Sequence, residues 1–408
     1  MKFAHISDVH IGSWRDSKMR DISTNVFVKT VDMCIEMQVD FILISGDLFN
    51  TSLPTIDKLK IVVEKLQEVK KKGIAVYVIA GSHDFSPSGK TMLDVLESAE
   101  LFVNVVKGFV KEEKLYLSFT IDKKTGAKIT GMLGKKGMLD RYYYQALSLD
   151  ELEKEDGFKI FMFHTAITEF KPNEFELMDS MPLSYFPKGF NYYAGGHVHY
   201  IFQSNQKEYG LFAYTGALFP NNFRELEKYK CGGFYIYEDN AITYKPVMLY
   251  DVVSLEFDCE DKTVEEIHSI VLQDLNKNDF KNKIVTLRFC GNLLHGKASD
   301  IDFRIIFQQL YEKGAYFIMK NITKLTSKDF ISVITDIGNN RNIEENIIEE
   351  NIGNLSNPFF DGEEKRTTLS LLQSLSAEKL EGERSVDFDE RIKKDALTVL
   401  PQRLKERI

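Results

Sequence analysis

The sequence predicts a layered α/β fold with a small α+β unit and a helical pair appended, and three features predict it. Short apolar runs alternate with helical periodicity through residues 1–250, a strand–helix–strand–helix–strand pattern follows, and an acidic stretch then sets off the last segment.

Each element has its own signal. Phe41-Ile42-Leu43-Ile44, Ile74-Ala75-Val76-Tyr77-Val78-Ile79 and Ile160-Phe161-Met162-Phe163 are continuous apolar runs of strand length. Such runs suit strands buried on both faces. Between the first two, apolar residues at Leu59, Val62, Val63, Leu66 and Val69 share one helical face, and Gly73 closes the helix. Leu211–Tyr214 and Gly233–Tyr237 read as hairpin-linked strands of a second sheet.

From residue 251 to 335 the expected order is strand Val252–Phe257, helix Val264–Leu275, strand Ile284–Phe289, helix Ile301–Glu312 and strand Ala315–Met319. Residues 336–364 turn rich in Asn and Glu (Asn339, Asn340, Glu344, Glu345, Glu349, Glu350), a composition that suits a flexible acidic linker. Two helices are expected in residues 365–408, Thr367–Leu380 and Phe388–Leu400. The second carries an apolar stripe at Phe388, Ile392, Ala396 and Val399. So short a pair builds no core of its own and needs a surface to pack on.

Composition narrows the function. A chain of 408 residues with 43% hydrophobic content can bury sizeable cores and exceeds one ordinary domain. No run reaches the roughly eighteen apolar residues of a membrane span. The first residues are interrupted by polar and acidic side chains, unlike a signal peptide, and together these favour the cytoplasm and no membrane partner. Cys34, Cys231, Cys259 and Cys290 lack any CxxC spacing, which argues for reduced, mostly buried thiols rather than disulfides or a thiolate zinc site. A net charge of −9 does not announce a nucleic-acid binder, although bound cations can neutralise an acidic cleft.

The chemistry lies in where ionisable residues fall. Asp8 and His10 follow the first strand, Asp47 follows the second after Gly46, Ser82-His83-Asp84 follow the third, His164 ends the fourth, and His197 and His199 come after Gly195-Gly196. Loops at strand carboxyl ends of a layered α/β fold converge on one edge, where ligands bind. Imidazole and carboxylate donors without thiolate suit Mn²⁺, Fe²⁺ or Zn²⁺. Asp47 is the candidate bridge between two ions about 3.5–4 Å apart, since Gly46 permits close approach. Such a pair would activate a water for in-line attack on a phosphate ester, with His83 free to protonate the leaving oxygen or steady the transition state. His5, inside the first strand, is expected to be structural, and His268 and His295 have no partner at metal spacing.

The ordered set Asp8-Val9-His10, Gly46-Asp47, Gly81-Ser82-His83-Asp84, His164 and Gly196-His197-Val198-His199 resembles the calcineurin-like metallophosphoesterases. More narrowly, Ser7–Gly12, Gly46–Phe49 and the layout resemble the SbcD-type repair nucleases, whose archaeal and eukaryotic members are named for meiotic recombination. The resemblance implies a two-sheet metallophosphoesterase sandwich flanked by helices (1–250). A capping or DNA-binding α+β domain (251–335) and, beyond the linker, a C-terminal helical pair that binds an ATPase (365–408) would complete the chain. It implies a Mn²⁺-dependent DNA exo/endonuclease of double-strand-break repair, dimeric, acting on double-strand ends and single strands with an SbcC-type coiled-coil ATPase. One metal would then take Asp8, His10, Asp47 and His199, the other Asp47, Ser82, His164 and His197, with His83 the catalytic histidine.

Two positions depart from the family pattern. Ser82 stands where the family usually has Asn, a weaker ligand, and Asn50 stands where many relatives have a His linked to duplex-end entry. Trp14 and Arg15, with Lys18 and Arg20, and Lys90 in the turn after His83 are candidate DNA contacts, with Trp14 able to stack on a base or to pack. Two other readings stay open at this level: a phosphatase or phosphodiesterase on a small or protein substrate, and a DNA-end-binding scaffold with weak catalysis.

Overall fold

The computed structural model describes residues 1–86, 91–135, 137, 139–328, 364–377 and 385–400. The chain divides into two compact units: Met1–Cys259, Glu265–Cys290 and Ile301–Lys324 form one, and Glu260–Val264, Gly291–Asp300 and Leu325–Ile408 the other.

The first unit is built on two six-stranded sheets. One has β1 (Lys2–Ile6) at its centre, flanked by β2 (Phe41–Ser45), β3 (Ala75–Ile79) and β4 (Val103–Asn104) on one side and by β13 (Gly232–Glu238) and β14 (Ala241–Val247) on the other. Strands β1 to β4 run parallel, while β13 is antiparallel to β1. The second sheet contains β7 (Thr120–Ile121), β8 (Lys128–Gly131), β9 (Lys159–His164), β10 (Tyr192–Gly196), β12 (Leu211–Thr215) and β11 (Ile201–Asn205), in that spatial order. Its central strands β8, β9, β10 and β12 are parallel. A separate hairpin pairs β5 (Gly108–Lys111) with β6 (Lys114–Leu117).

Alternation along each strand explains why the runs are apolar throughout. Phe3, Phe41, Leu43, Tyr77, Ile160, Met162, Tyr192 and Tyr237 meet in the core between the sheets. Their neighbours Ala4, Ile42, Ile44, Val76 and Val78 face the opposite way, into a core shared with the helices Ser17–Glu36 and Ile56–Lys71. On the far side of the second sheet, Phe161, Phe163, Tyr193, Phe212 and Tyr214 form an aromatic core with Phe186 and Phe190. Side chains of period two therefore all find apolar surroundings.

One expectation needs revision. Leu211–Tyr214 and Gly233–Tyr237 are not hairpin-linked: β12 pairs with β10 and β11 in the second sheet, and β13 pairs with β1 and β14 in the first. The helix Phe223–Tyr229 intervenes, its first turn capped by the Asn222 side chain, and an apolar strand pattern cannot say which of two sheets it joins. The helix Ser17–Glu36 also follows the first loop directly. Asp16 caps it by accepting from the Lys18 and Met19 amides.

Past residue 250, β15 (Val252–Asp258), β16 (Ile284–Leu293) and β17 (Phe317–Ser327) form a three-stranded sheet with helices Val264–Leu275 and Phe303–Glu312 between them. Within the first unit, Arg288 grips the Glu227 carboxylate with two guanidinium nitrogens, and the Tyr250 and Tyr316 rings stack 4.0 Å apart. The expected linker at 336–364 lies almost wholly outside the described residues. The terminal helices are Glu364–Leu375 and Ser385–Val399, and they pack on each other. In the second, Phe388, Ile392, Ala396 and Val399 are half-buried while Asp389, Lys393 and Asp395 are exposed, as the stripe requires. No helix among the described residues is long and apolar enough to cross a membrane. No disulfide joins the four cysteines, with Cys34 and Cys259 buried and Cys231 and Cys290 half-buried.

Phe3 is fully buried between the sheets, its ring stacked on Phe41 at 4.9 Å and Tyr237 at 4.6 Å and edge-on to Tyr192. Phe3→Ala should cost about 3–5 kcal/mol in stability, read from denaturant unfolding.

Candidate metal centre

Five turns meet at the carboxyl ends of β1, β2, β3, β9 and β10. Asp8, His10, Asp47 and His197 all have positive φ (49°, 48°, 51° and 83°), a left-handed conformation that non-glycine residues adopt at a cost. The strain is held by backbone bonds: Asp8 N–H donates to Gly46 O at 3.2 Å and His10 N–H to Asp47 O at 2.9 Å. The turns are stitched together further when His197 N–H donates to the Asp8 carboxylate at 2.9 Å and His83 N–H to Asp47 Oδ1 at 2.7 Å. Crowding explains the glycine before Asp47. With φ of +88°, Gly46 also lies so close that a Cβ there would fall 2.2 Å from His164 Nδ1.

The imidazoles are oriented from behind. His164 Nδ1 lies 2.8 Å from Ser45 O, His83 Nδ1 lies 2.9 Å from Asn50 O, and His199 Nδ1 lies 2.9 Å from Glu225 Oε1. Carbonyl and carboxylate oxygens only accept, so each Nδ1 carries the hydrogen and the lone pair of the neutral ring sits on Nε2. One of those nitrogens then faces another acceptor: His164 Nε2 is 3.2 Å from Asp47 Oδ2, outside hydrogen-bonding geometry. His199 Nε2 lies 3.1 Å from His10 Nε2, which donates to it when the His10 ring carries its hydrogen there. The His164 lone pair pressed against a carboxylate oxygen needs a proton or a cation between them.

Electrostatics point the same way. Burial favours a neutral Asp47, yet the facing His164 and then His10 overcome it and hold the carboxyl well below the usual range. His164 is the reciprocal case: burial opposes its charge, but Asp47 and Asp8 push it up to about 10. Burial raises Asp8 despite His164 and His199, and burial lowers His10 to about 3 and His197 to about 4. His199 is raised despite burial, through its bond to Glu225 and the nearby Asp8.

The donor set fits a divalent cation. Three groups have their ligand atoms mutually within 4.8 Å: Asp8, His10 and His199; His10, Asp47 and His83; and Asp8, Asp47 and His164. Buried His10 Nδ1 and His164 Nε2 have no hydrogen-bond partner. The nitrogen and oxygen donors, with no sulfur, match a first-row divalent ion. Asp8, His10 and Asp47 each belong to two of the groups.

The structure thus gathers Asp8, His10, Asp47, His83, His164 and His199. His197 lies beside them, its ring 5.2 Å from that of His164, but joins no such group among the described residues. Ser82 is buried and lines the same cleft as His83, His164 and His197. His5 is held by the Tyr192 hydroxyl at 2.9 Å and kept neutral by burial, and His268 Nε2 accepts from the Asp302 amide.

Trp14 is half-buried, its indole N–H donating to Pro220 O at 3.1 Å beside Phe219, so the packed alternative describes it. Arg15 and Lys18 are exposed, and Arg20 turns back to bond the Trp14 and Arg15 carbonyls. Lys90 lies outside the described residues.

Sequence reasoning assigned no role to Glu225 or Asp84. Glu225 anchors His199 from a loop-capped helix, and nothing in its local sequence announces that. Asp84 is fully buried and accepts from the Leu48, Phe49 and Gly81 amides, clamping the Asp47 turn to the Ser82-His83 turn. Burial, then the nearby Asp47, pushes its carboxyl up to about 7. Its place directly after His83 was the available signal.

Comparison with known proteins agrees with this geometry. Residues 1–200 match the family described as calcineurin-like phosphoesterase. The chain is 25% identical over 360 residues to a protein of Methanococcus maripaludis named DNA double-strand break repair protein Mre11, covering 85% of this chain and 87% of that one. It is 25% identical to the Methanocaldococcus jannaschii protein of the same name, covering 86% and 88%, and 28% identical to that of Sulfolobus acidocaldarius, covering 83% and 89%.

Metal entering between His164 and Asp47 displaces the proton held there. Metal binding near pH 8 should therefore release about one proton, and affinity should rise with pH until His164 titrates near 10. Calorimetry in buffers of different ionisation enthalpy measures this, and a pH-independent affinity with no proton release would contradict it.

Proposed function

We propose that this chain, which carries a calcineurin-like phosphoesterase domain over its first 200 residues, is a Mn²⁺-dependent DNA exo/endonuclease of double-strand-break repair. The observation that carries the reading is the convergence of Asp8, His10, Asp47, His164 and His199, with imidazoles anchored through Nδ1, on one strand edge. The names of the archaeal relatives, which align along most of the chain, supply the substrate class.

A bound pair of divalent ions would supply Lewis-acid stabilisation of a phosphate ester and a water acidic enough to ionise at neutral pH. Asp8, His10, Asp47 and His199 would hold one ion, and Asp47, His164, His197 and Ser82 the other. The chain's own groups do the rest. The His83 ring is fixed by Asn50 O and its amide by Asp47, which leaves Nε2 free to carry a proton to the leaving oxygen. Glu225 and Ser45 O hold two imidazoles in the tautomer that presents Nε2. The clamp by Asp84 keeps the two acid-bearing turns in register.

In this reading residues 251–335 act as a capping element toward DNA, exposed Arg15 meets a phosphate backbone, and two chains pair. The helices in residues 365–408 dock on an SbcC-type ATPase. The half-buried stripe from Phe388 to Val399 is the surface that supports docking.

Two outcomes test the proposal. His83→Ser should keep metal affinity while lowering the rate of DNA cleavage about 10²- to 10⁴-fold, and loss of metal in that variant would show His83 to be a ligand instead. Deleting residues 365–408 should spare Mn²⁺-dependent cleavage and abolish co-purification with the ATPase, and an intact complex would remove the docking role.

A further inference from the structure

Beside the metal-ligand residues lies a cleft of about 320 Å³ whose walls include Ser82, His83, His164 and His197 and, facing them, Lys135. Lys135 lies in the loop after β8. Its Nζ donates to the Tyr143 hydroxyl at 2.8 Å and sits 4.7 Å from the centre of that ring and 4.9 Å from the centre of the Phe85 ring. Phe85 directly follows Asp84, so one wall of this aromatic clamp belongs to the turn that carries Ser82 and His83. Asp140 and Asp179 also line the cleft; Asp140 accepts from the Lys135 backbone amide and feels its charge, but among the described residues no ion pair joins the ammonium to a carboxylate.

Those contacts differ from an ion pair in what they leave behind. Two ring faces and a neutral hydroxyl hold the cation in place without cancelling its charge. One of three ammonium hydrogens is spent on Tyr143, and the others remain for a ligand. The complementary ligand is an anionic oxygen, and in a cleft shared with His83 it belongs to the group being cleaved. We propose that Lys135 binds a non-bridging phosphate oxygen of the scissile ester and orients it toward His83. This rests on the phosphoesterase reading but not on DNA as the substrate, because every phosphodiester presents such an oxygen.

The test compares wild type with Lys135→Met, which keeps the aliphatic stem, and Lys135→Arg, which keeps the charge and the ring contacts. Calorimetry of inorganic phosphate binding to the Mn²⁺-loaded protein is the first readout. The second is kcat/KM on a single-stranded oligonucleotide and on bis(4-nitrophenyl) phosphate. Lys135→Met should weaken phosphate binding and lower both kcat/KM values about 10- to 100-fold, the weight of a charge-assisted hydrogen bond. Lys135→Arg should recover most of the loss, which a merely collapsed cleft would not. Unchanged phosphate affinity in Lys135→Met, or no phosphate uptake by wild type, overturns the assignment. Wild-type protein that hydrolyses the small diester but leaves DNA intact sinks the DNA reading and leaves the Lys135 result standing.

Discussion

The Asp47 carboxylate is the constraint on which the rest of the centre depends. It is almost completely buried, yet three neighbours hold it charged: His164 at 3.2 Å, His10 at 3.7 Å and the His83 amide at 2.7 Å. A buried carboxylate with this many partners is costly to leave unpaired and strongly fixes its neighbours when paired. The left-handed turn at Asp47, the glycine before it and the Asp84 clamp behind it make sense as means of holding that one oxygen pair in place. Strain spread over three turns is offset by the hydrogen bonds that join them.

The sandwich makes the convergence possible. Each sheet contributes parallel strands whose carboxyl ends lie on the same edge, β1, β2 and β3 from one and β9 and β10 from the other. Large aromatics between the sheets, such as Phe3, Phe41, Tyr192 and Tyr237, set their separation and resist shear. A metal site assembled from loops of two sheets needs a rigid spacing, and a ring-filled interior supplies it better than a flexible aliphatic one.

Much of this was legible in the sequence because its signals are local. Apolar runs of strand length mark strands buried on both faces, and the residue after each run marks its carboxyl end, so Asp8, His10, Asp47, His83, His164 and His199 could be named together. What escaped depends on pairing between distant segments. Glu225 reaches His199 only because the helix Phe223–Tyr229 returns to the strand edge. Strand β13 crosses to the first sheet because β1 has a free neighbour position there, a fact no apolar pattern contains. Lys135 was invisible for the same reason, since its clamp joins Phe85 in the turn after β3 to Lys135 and to Tyr143 of the helix Arg141–Ala146.

Charge links these observations to a polyanionic substrate. The chain carries a formal charge of −9, and the centre adds two buried carboxylates to the place where a phosphate must lie. Raised protonation of His164 and His199 offsets part of that negative charge when no cation is bound. Divalent ions would reverse the local sign, and Lys135, which forms no ion pair with a carboxylate among the described residues, adds a positive charge to the same cleft. Metal occupancy and substrate binding are therefore thermodynamically linked in this fold.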